Sequence, residues 1–222
     1  MKKSSFEVDE MDINFSHYLT NLIPENKAWI QTLEAQANRE NVPIMDQLSI
    51  KFLCQIVRMM QPSHILEIGT GIGYSALRML DAYPKTTIVS VERDKNRFSQ
   101  AKDIIKTHQK QNNIKVIHGE ALEVLQQLND ENYSFDFIFI DAAKAHYKSF
   151  FQRADKLLTN QGVIASDNVL FRGYVKEPEQ APRRLKNIAK KMAQFNEWLM
   201  NHSSYTTSIV PIGDGIAISF KN

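Results

Sequence analysis

A single cysteine in 222 residues, Cys54, excludes an internal disulfide and a cysteine-built metal site. Its surroundings are apolar and helix-like, so the thiol is expected to pack in a core rather than react. Long apolar runs are missing as well. FDFIFI at 135–140, among the longest, is far too short to span a bilayer. The opening MKKSSFEVDEMD lacks the apolar centre of a signal peptide. A cytoplasmic protein without membrane attachment is therefore expected. The six histidines fall at no ligand spacing, which speaks against zinc. No internal repeat, low-complexity tract or long linker divides the chain. One domain is expected over 1–222, with a helical segment at 1–60 and a cofactor-binding α/β core at 61–222.

What is present is regular. Apolar residues at helical spacing (Ile30, Leu33 and Ala37, then Leu48, Phe52 and Ile56) predict two or three helices over about 12–60. Strand-like runs follow at 64–69, 86–92, 114–119, 135–141 and 162–168, separated by helical patterns. That alternation predicts a doubly wound, Rossmann-like parallel sheet. The ending differs: SYTTSIVPI and GIAISF flank Gly213-Asp214-Gly215 with no room for a crossover helix. A hairpin is expected, its two strands antiparallel.

HILEIGTGIGYSAL at 64–77 places Gly69, Gly71 and Gly73 where the first strand should end. Ligands bind beyond the carboxyl ends of such strands, and glycines let the backbone approach them closely. A dinucleotide fingerprint reads G-x-G-x-x-G. Here the third glycine is misplaced, with Tyr74 in its position, so a pyrophosphate cofactor such as NAD is disfavoured. Glu92, 21 residues beyond Gly71, suits both ribose hydroxyls of NAD or of S-adenosylmethionine. Glu67 is placed to face a cationic sulfonium and amino group. Together the glycines, Glu67 and Glu92 favour S-adenosylmethionine, and Gly119, Glu120 and Ala121 offer a turn where adenine could lie.

Two further strand ends carry acid groups. Asp141 closes the fourth strand-like run, and Asp167 and Asn168 close the fifth. Neighbouring strands would bring these three oxygen ligands together, a hard set that suits Mg²⁺. Lys144, three residues beyond Asp141, can turn back toward the cation and serve as general base. His146 is expected to be a surface or packing residue. Residues 172–191 hold Arg172, Lys176, Arg183, Arg184, Lys186, Lys190 and Lys191 against Glu177 and Glu179. Such a run is either a solvated helix face or a phosphate-contacting patch.

HILEIGTGIGYSA, VERD, IDAAK and SDN resemble the Mg²⁺-dependent O-methyltransferases of the catechol and caffeoyl-CoA type, over about Val42 to Phe220. The resemblance implies a class I methyltransferase fold, with a seven-stranded sheet whose last strand is antiparallel. It implies metal binding by Asp141, Asp167 and Asn168, with Lys144 as base. Cofactor contacts would come from Glu67, Gly69, Ser75, Glu92, Glu120, Ala121 and Asp141, and Met45 would close over the methionine end. A homodimer is also implied. DNVLFRGYV followed by PRRLKNIAKK is similar to the bacterial branch that methylates 5-hydroxyuridine in tRNA at the wobble position. In that branch Arg172, Arg183, Arg184, Lys186, Lys190 and Lys191 would hold anticodon phosphates, with Phe171 or Tyr174 stacking on a base. The alternative acceptor is a small catechol-like or caffeoyl-CoA-like molecule. A nicotinamide dehydrogenase fits the glycine loop poorly, and a non-catalytic RNA-binding protein leaves Asp141, Lys144, Asp167 and Asn168 unexplained.

Overall fold

Runs rich in β-branched and aromatic residues become strands, and each apolar stripe at helical spacing becomes a helix packed on them. The computed structural model describes residues 8–222, with side chains from residue 15 onward. The segment inspected for a signal peptide thus lies mostly outside the described residues. Three helices precede the sheet: α1 (Val8–Asn21), α2 (Ala28–Arg39) and α3 (Gln47–Met60). Five strand–helix units follow. They comprise β1 (His64–Ile68), α4 (Tyr74–Ala82), β2 (Thr87–Glu92), α5 (Lys95–Thr107) and β3 (Ile114–His118). The chain continues through α6 (Ala121–Asp130), β4 (Phe135–Ile140), α7 (Tyr147–Ala154), β5 (Leu158–Ser166) and α8 (Lys186–Met200). A hairpin of β6 (Tyr205–Val210) and β7 (Ile216–Lys221) ends it.

The seven strands lie in the order β3-β2-β1-β4-β5-β7-β6. β1 to β5 pair in parallel, whereas β7 is antiparallel to both of its neighbours. The expected doubly wound sheet with a reversed last strand is present. Its central strands are apolar on both faces because helices cover both. Ile65, Phe137, Phe139 and Val163 face α2 to α5; Leu66, Ile68, Ile138 and Ile164 face α6 to α8. Among the described residues no helix is long and apolar enough to cross a membrane.

The boundaries differ from expectation at two places. β5 spans 158–166 rather than 162–168. It begins early because Leu158 pairs with Phe135 across a register irregularity. It stops at Ser166 because Asn168 turns to φ 55°. On α3 the expected stripe is met only in part: Ile56 is buried, Leu48 and Phe52 are half-buried, and the fully buried residues are Ile50, Leu53 and Val57. Cys54 packs in the core as expected, its thiol donating to the Arg78 carbonyl oxygen at 3.4 Å. Burial pushes that thiol's pKa up.

α2 is tied to the core by a polar chain rather than by apolar contact alone. Arg78 donates to the Tyr74 hydroxyl at 2.6 Å, and that hydroxyl donates to Glu34 Oε1 at 2.7 Å. On the opposite face Phe151 is fully buried, against Tyr205 at 5.0 Å, Trp198 at 5.3 Å and Phe195 at 6.3 Å between ring centroids. Truncating it leaves a large cavity. Phe151→Ala is expected to lower unfolding stability by about 3–5 kcal/mol, read as a fall in the urea midpoint.

Candidate active site

The functional loops leave the sheet along one edge, and each is fixed at its first residue. Gly69 N–H donates to Val91 O, Gly119 N–H to Glu92 O, Asp141 N–H to Ile68 O and Asp167 N–H to Ile140 O, all at 2.9–3.0 Å. Gly69 has φ 101°, and a Cβ there would overlap the Asp141 carbonyl oxygen. Only glycine allows the first and fourth strand ends to approach this closely. Gly71 N–H donates to Glu92 Oε2 and Asp94 N–H to Glu92 Oε1, both at 2.9 Å. Both Glu92 oxygens are thereby aimed before any ligand arrives.

These loops surround a cavity of about 850 Å³. Gly69, Ser75, Glu92, Gly119, Glu120 and Ala121 line it. Met45, Asp141, Lys144, Asp167 and Asn168 line it too. The sheet thus brings together every proposed cofactor and metal residue except Glu67.

Glu67 lies beneath the cavity rather than in its wall. It is fully buried, and its two carboxyl oxygens accept hydrogen bonds from the Ser75 and Ser90 hydroxyls. Thr70 Oγ1 lies 2.6 Å from Ser90 Oγ and extends the chain to the glycine loop. Burial raises the Glu67 pKa to about 8, against the two serine bonds that lower it. At neutral pH the protonated form is thereby favoured, and the group reaches the cavity through Ser75 on one side and through Ser90 and Thr70 on the other.

Asp141 and Asp167 stand just past paired residues of β4 and β5, Ile140 opposite Ser166. Burial raises both carboxyl pKa values; Asp141's charge raises that of Asp167 further, and Lys144 opposes the rise at each. Lys144 begins a short 3-10 turn, and its Nζ donates to Asn168 Oδ1 at 2.7 Å. Tyr147 below is fully buried and donates to the Asp167 carbonyl oxygen at 3.0 Å. Two desolvated carboxyls beside an amide oxygen form an oxygen-only donor set suited to a hard divalent cation. Among the described residues no three His, Cys, Asp or Glu side chains converge. Side-chain ligation here would thus be limited to Asp141, Asp167 and Asn168.

Asn168 opens a strained loop. Asn168, Phe171 and Arg172 all have left-handed backbones (φ 55°, 46° and 57°). Such a conformation costs a non-glycine residue roughly 1–2 kcal/mol. Phe171 is buried in the core, which corrects the expectation that it could stack on a base; Tyr174 beside it is half-buried. The basic run is mixed. Lys190 and Lys186 reach Glu179 at 2.5 and 3.5 Å. Arg172, Arg183, Arg184 and Lys191 are exposed, with no carboxylate ion pair among the described residues. His146 is exposed at the cavity rim, its ring 5.9 Å from Phe150.

Sequence reasoning missed Asp46 and Arg97, which line the cavity. Asp46 caps α3, accepting from the Leu48 and Ser49 amides. Its D-x-x-S spacing ahead of an apolar helix was a usable signal. Arg97 Nη1 is sealed from solvent with no hydrogen-bond partner among the described residues. Nothing in the run VERDKNR predicts that.

A seven-stranded sheet with one reversed strand is also the architecture of solved O-methyltransferases. The Bacillus cereus O-methyltransferase, solved in complex with SAH, superposes with a TM-score of 0.82 at 24% identity, over 94% of this chain and 97% of that one. The chain belongs to the O-methyltransferase family, which it matches over residues 22–222. A Staphylococcus aureus protein provisionally described as a caffeoyl-CoA O-methyltransferase is 36% identical, with a TM-score of 0.86 over 93% of this chain and 99% of that one. A provisionally named caffeoyl-CoA O-methyltransferase of Arabidopsis thaliana is 34% identical over 169 residues, 75% of this chain and 73% of that protein.

The state of Glu67 has a measurable consequence. The folded protein holds this proton from the usual 4.5 up to about pH 8, so its contribution to stability falls as pH rises through that window. Glu67→Gln removes the titration. Urea unfolding from pH 4.5 to 8.5 is expected to show the variant gaining on wild type as pH rises, then levelling off; parallel curves would mean that Glu67 is ionised throughout.

Proposed function

We propose that the protein transfers a methyl group from S-adenosylmethionine to a hydroxyl on a flat ring bearing a second oxygen beside it, assisted by Mg²⁺. One observation carries this reading: Glu92 and the glycine loop lie in one cavity with Asp141, Asp167, Asn168 and Lys144. Glu92 would accept both ribose hydroxyls, Ala121 and Glu120 would border the adenine, and Met45 would cover the methionine end. The open space at Gly71, kept bare by its left-handed backbone, fits a nucleoside approached closely by the loop. When bound, the cofactor supplies an electrophilic methyl group, and Mg²⁺ bound by Asp141, Asp167 and Asn168 supplies an anchor for two adjacent oxygens and acidifies the hydroxyl.

The chain's own residues do the rest. Lys144 Nζ already lies within 2.7 Å of Asn168 Oδ1, so it is in reach of a hydroxyl bound there. With its charge displaced from this pair of carboxylates by a divalent cation, the neutral amine is favoured and would take that proton. Asp141 lines the same cavity as Glu92 and Asp167 and would help hold acceptor and donor in line; positioning of this kind is a large part of such catalysis. Tyr147 fixes the Asp167 backbone, and the apolar walls at Ile44, Met45 and Ile72 exclude water.

The acceptor we favour is 5-hydroxyuridine in tRNA, whose hydroxyl neighbours a carbonyl oxygen. The exposed Arg172, Arg183, Arg184 and Lys191 support it as phosphate contacts, with Tyr174 as the remaining stacking candidate. The relatives named for caffeoyl-CoA favour a second reading, a small catechol-like or caffeoyl-CoA-like acceptor. A homodimer is supported by the exposed apolar residues Phe15, Tyr18 and Leu19 on α1 and Leu22 just past it.

Labelled S-adenosylmethionine with Mg²⁺ should methylate tRNA carrying 5-hydroxyuridine and spare the same tRNA without the hydroxyl. Reversing charge at Arg183 and Arg184 should abolish that transfer. Transfer to catechol or caffeoyl-CoA with none to tRNA would select the second reading. Lys144→Ala is expected to lower kcat by about a hundredfold or more while S-adenosylmethionine still binds. Turnover that survives Asp167→Ala with its metal dependence unchanged would refute the ligand assignment.

A further inference from the structure

The tip of the β6–β7 hairpin carries much of the loop that bears Asn168. Val169 N–H donates to Gly215 O at 3.0 Å, and Leu170 N–H to Asp214 O at 2.9 Å. Arg172 N–H donates to the Asp214 carboxylate oxygen Oδ1. These three bonds hold the stretch in which Asn168, Phe171 and Arg172 all keep left-handed backbones. The tip is wedged from behind. A Cβ on Gly213 would overlap the Asp46 carboxylate and the Ser49 hydroxyl, and one on Gly215 would overlap Leu170.

We propose that Asp214 is a positioning residue, whose carboxylate holds the 168–173 loop so that the Asn168 amide oxygen stands beside Asp141 and Asp167 to receive a divalent cation. The proposal rests on the metal reading given under Proposed function. Asp214 itself need not touch the cation; it acts through the Arg172 amide. Without that acceptor, the strained backbone at Phe171 and Arg172 would relax toward ordinary angles, drawing the Asn168 side chain off its place. Groups that orient metal ligands from behind typically change affinity by about ten- to a hundredfold when lost.

The test uses the full chain as wild type, Asp214→Ala and Asp214→Asn, the asparagine keeping an oxygen that can accept from Arg172. Mn²⁺ binding is measured by calorimetry, S-adenosylhomocysteine binding serves as a control, and hydrogen exchange is followed on peptides covering 168–175. Asp214→Ala is expected to bind Mn²⁺ about tenfold more weakly and to exchange faster in 168–175, with S-adenosylhomocysteine affinity within about twofold of wild type. Asp214→Asn should restore both properties. Equal Mn²⁺ affinity in wild type and Asp214→Ala overturns the proposal, as does faster exchange spread over β1 and β4, which would mark a general loss of packing. Failure of the wild type itself to take up Mn²⁺ would instead overturn the metal reading, and this inference with it.

Discussion

Parallel pairing carried one residue beyond the strands is the constraint on which the site depends. At the ends of β1, β3, β4 and β5 the first loop residue still donates to a carbonyl at its neighbour's last or last-but-one position. Each loop is thus launched from a fixed point, although the loops lie up to 100 residues apart in the chain. Asp141 and Asp167 meet because Ile140 and Ser166 are rung partners, not because anything local draws two carboxylates together. Burial disfavours their charge, and that penalty is accepted only because the ladder leaves them nowhere else to go. A side chain on Gly69 would break the same arrangement from the other side, by forcing β1 and the Asp141 carbonyl apart.

Charge is distributed along the cavity by burial as much as by composition. Glu67 is dry and its protonated form is favoured, so it lends the floor a hydrogen-bonded plug instead of a negative charge. Glu92, with both oxygens accepting backbone N–H groups, keeps its acceptor character at the opposite wall. Lys144 is the cation that the two aspartates already have. Carboxyl groups thus stand in three settings at this cavity: buried beneath its floor, aimed from its wall, and paired at the ends of β4 and β5.

Much of this was legible in the sequence because it rests on strand ends, and strand ends are marked by residue type. Glycines after an apolar run placed the first loop; Glu92, Asp141 and Asp167 each followed such a run at its last or next residue. The reversed hairpin was visible in Gly213-Asp214-Gly215 between alternating runs. What escaped was whatever depends on the third dimension. Glu67 reads as a cavity carboxylate by position, but the pleat turns it toward Ser75 and Ser90. Phe171 reads as an exposed aromatic beside a basic run, but a left-handed turn drives it into the core. Arg97 and Asp46 reach the cavity from a helix start and a cap, places where polar residues are ordinary.

The reversed strand also bears on the order in which the molecule can be completed. β7 lies between β5 and β6, so the place beside β5 is filled by the strand of this sheet that comes last in chain order. Until residues 216–221 emerge from the ribosome, β5 presents an open edge, the kind of surface on which nascent chains stick to one another. Over the same interval Val169 and Leu170 lack their backbone partners. Closure of the sheet and completion of the acidic end of the cavity are thus a single late event, and a nascent chain lacking its final strand would be both adhesive and inactive.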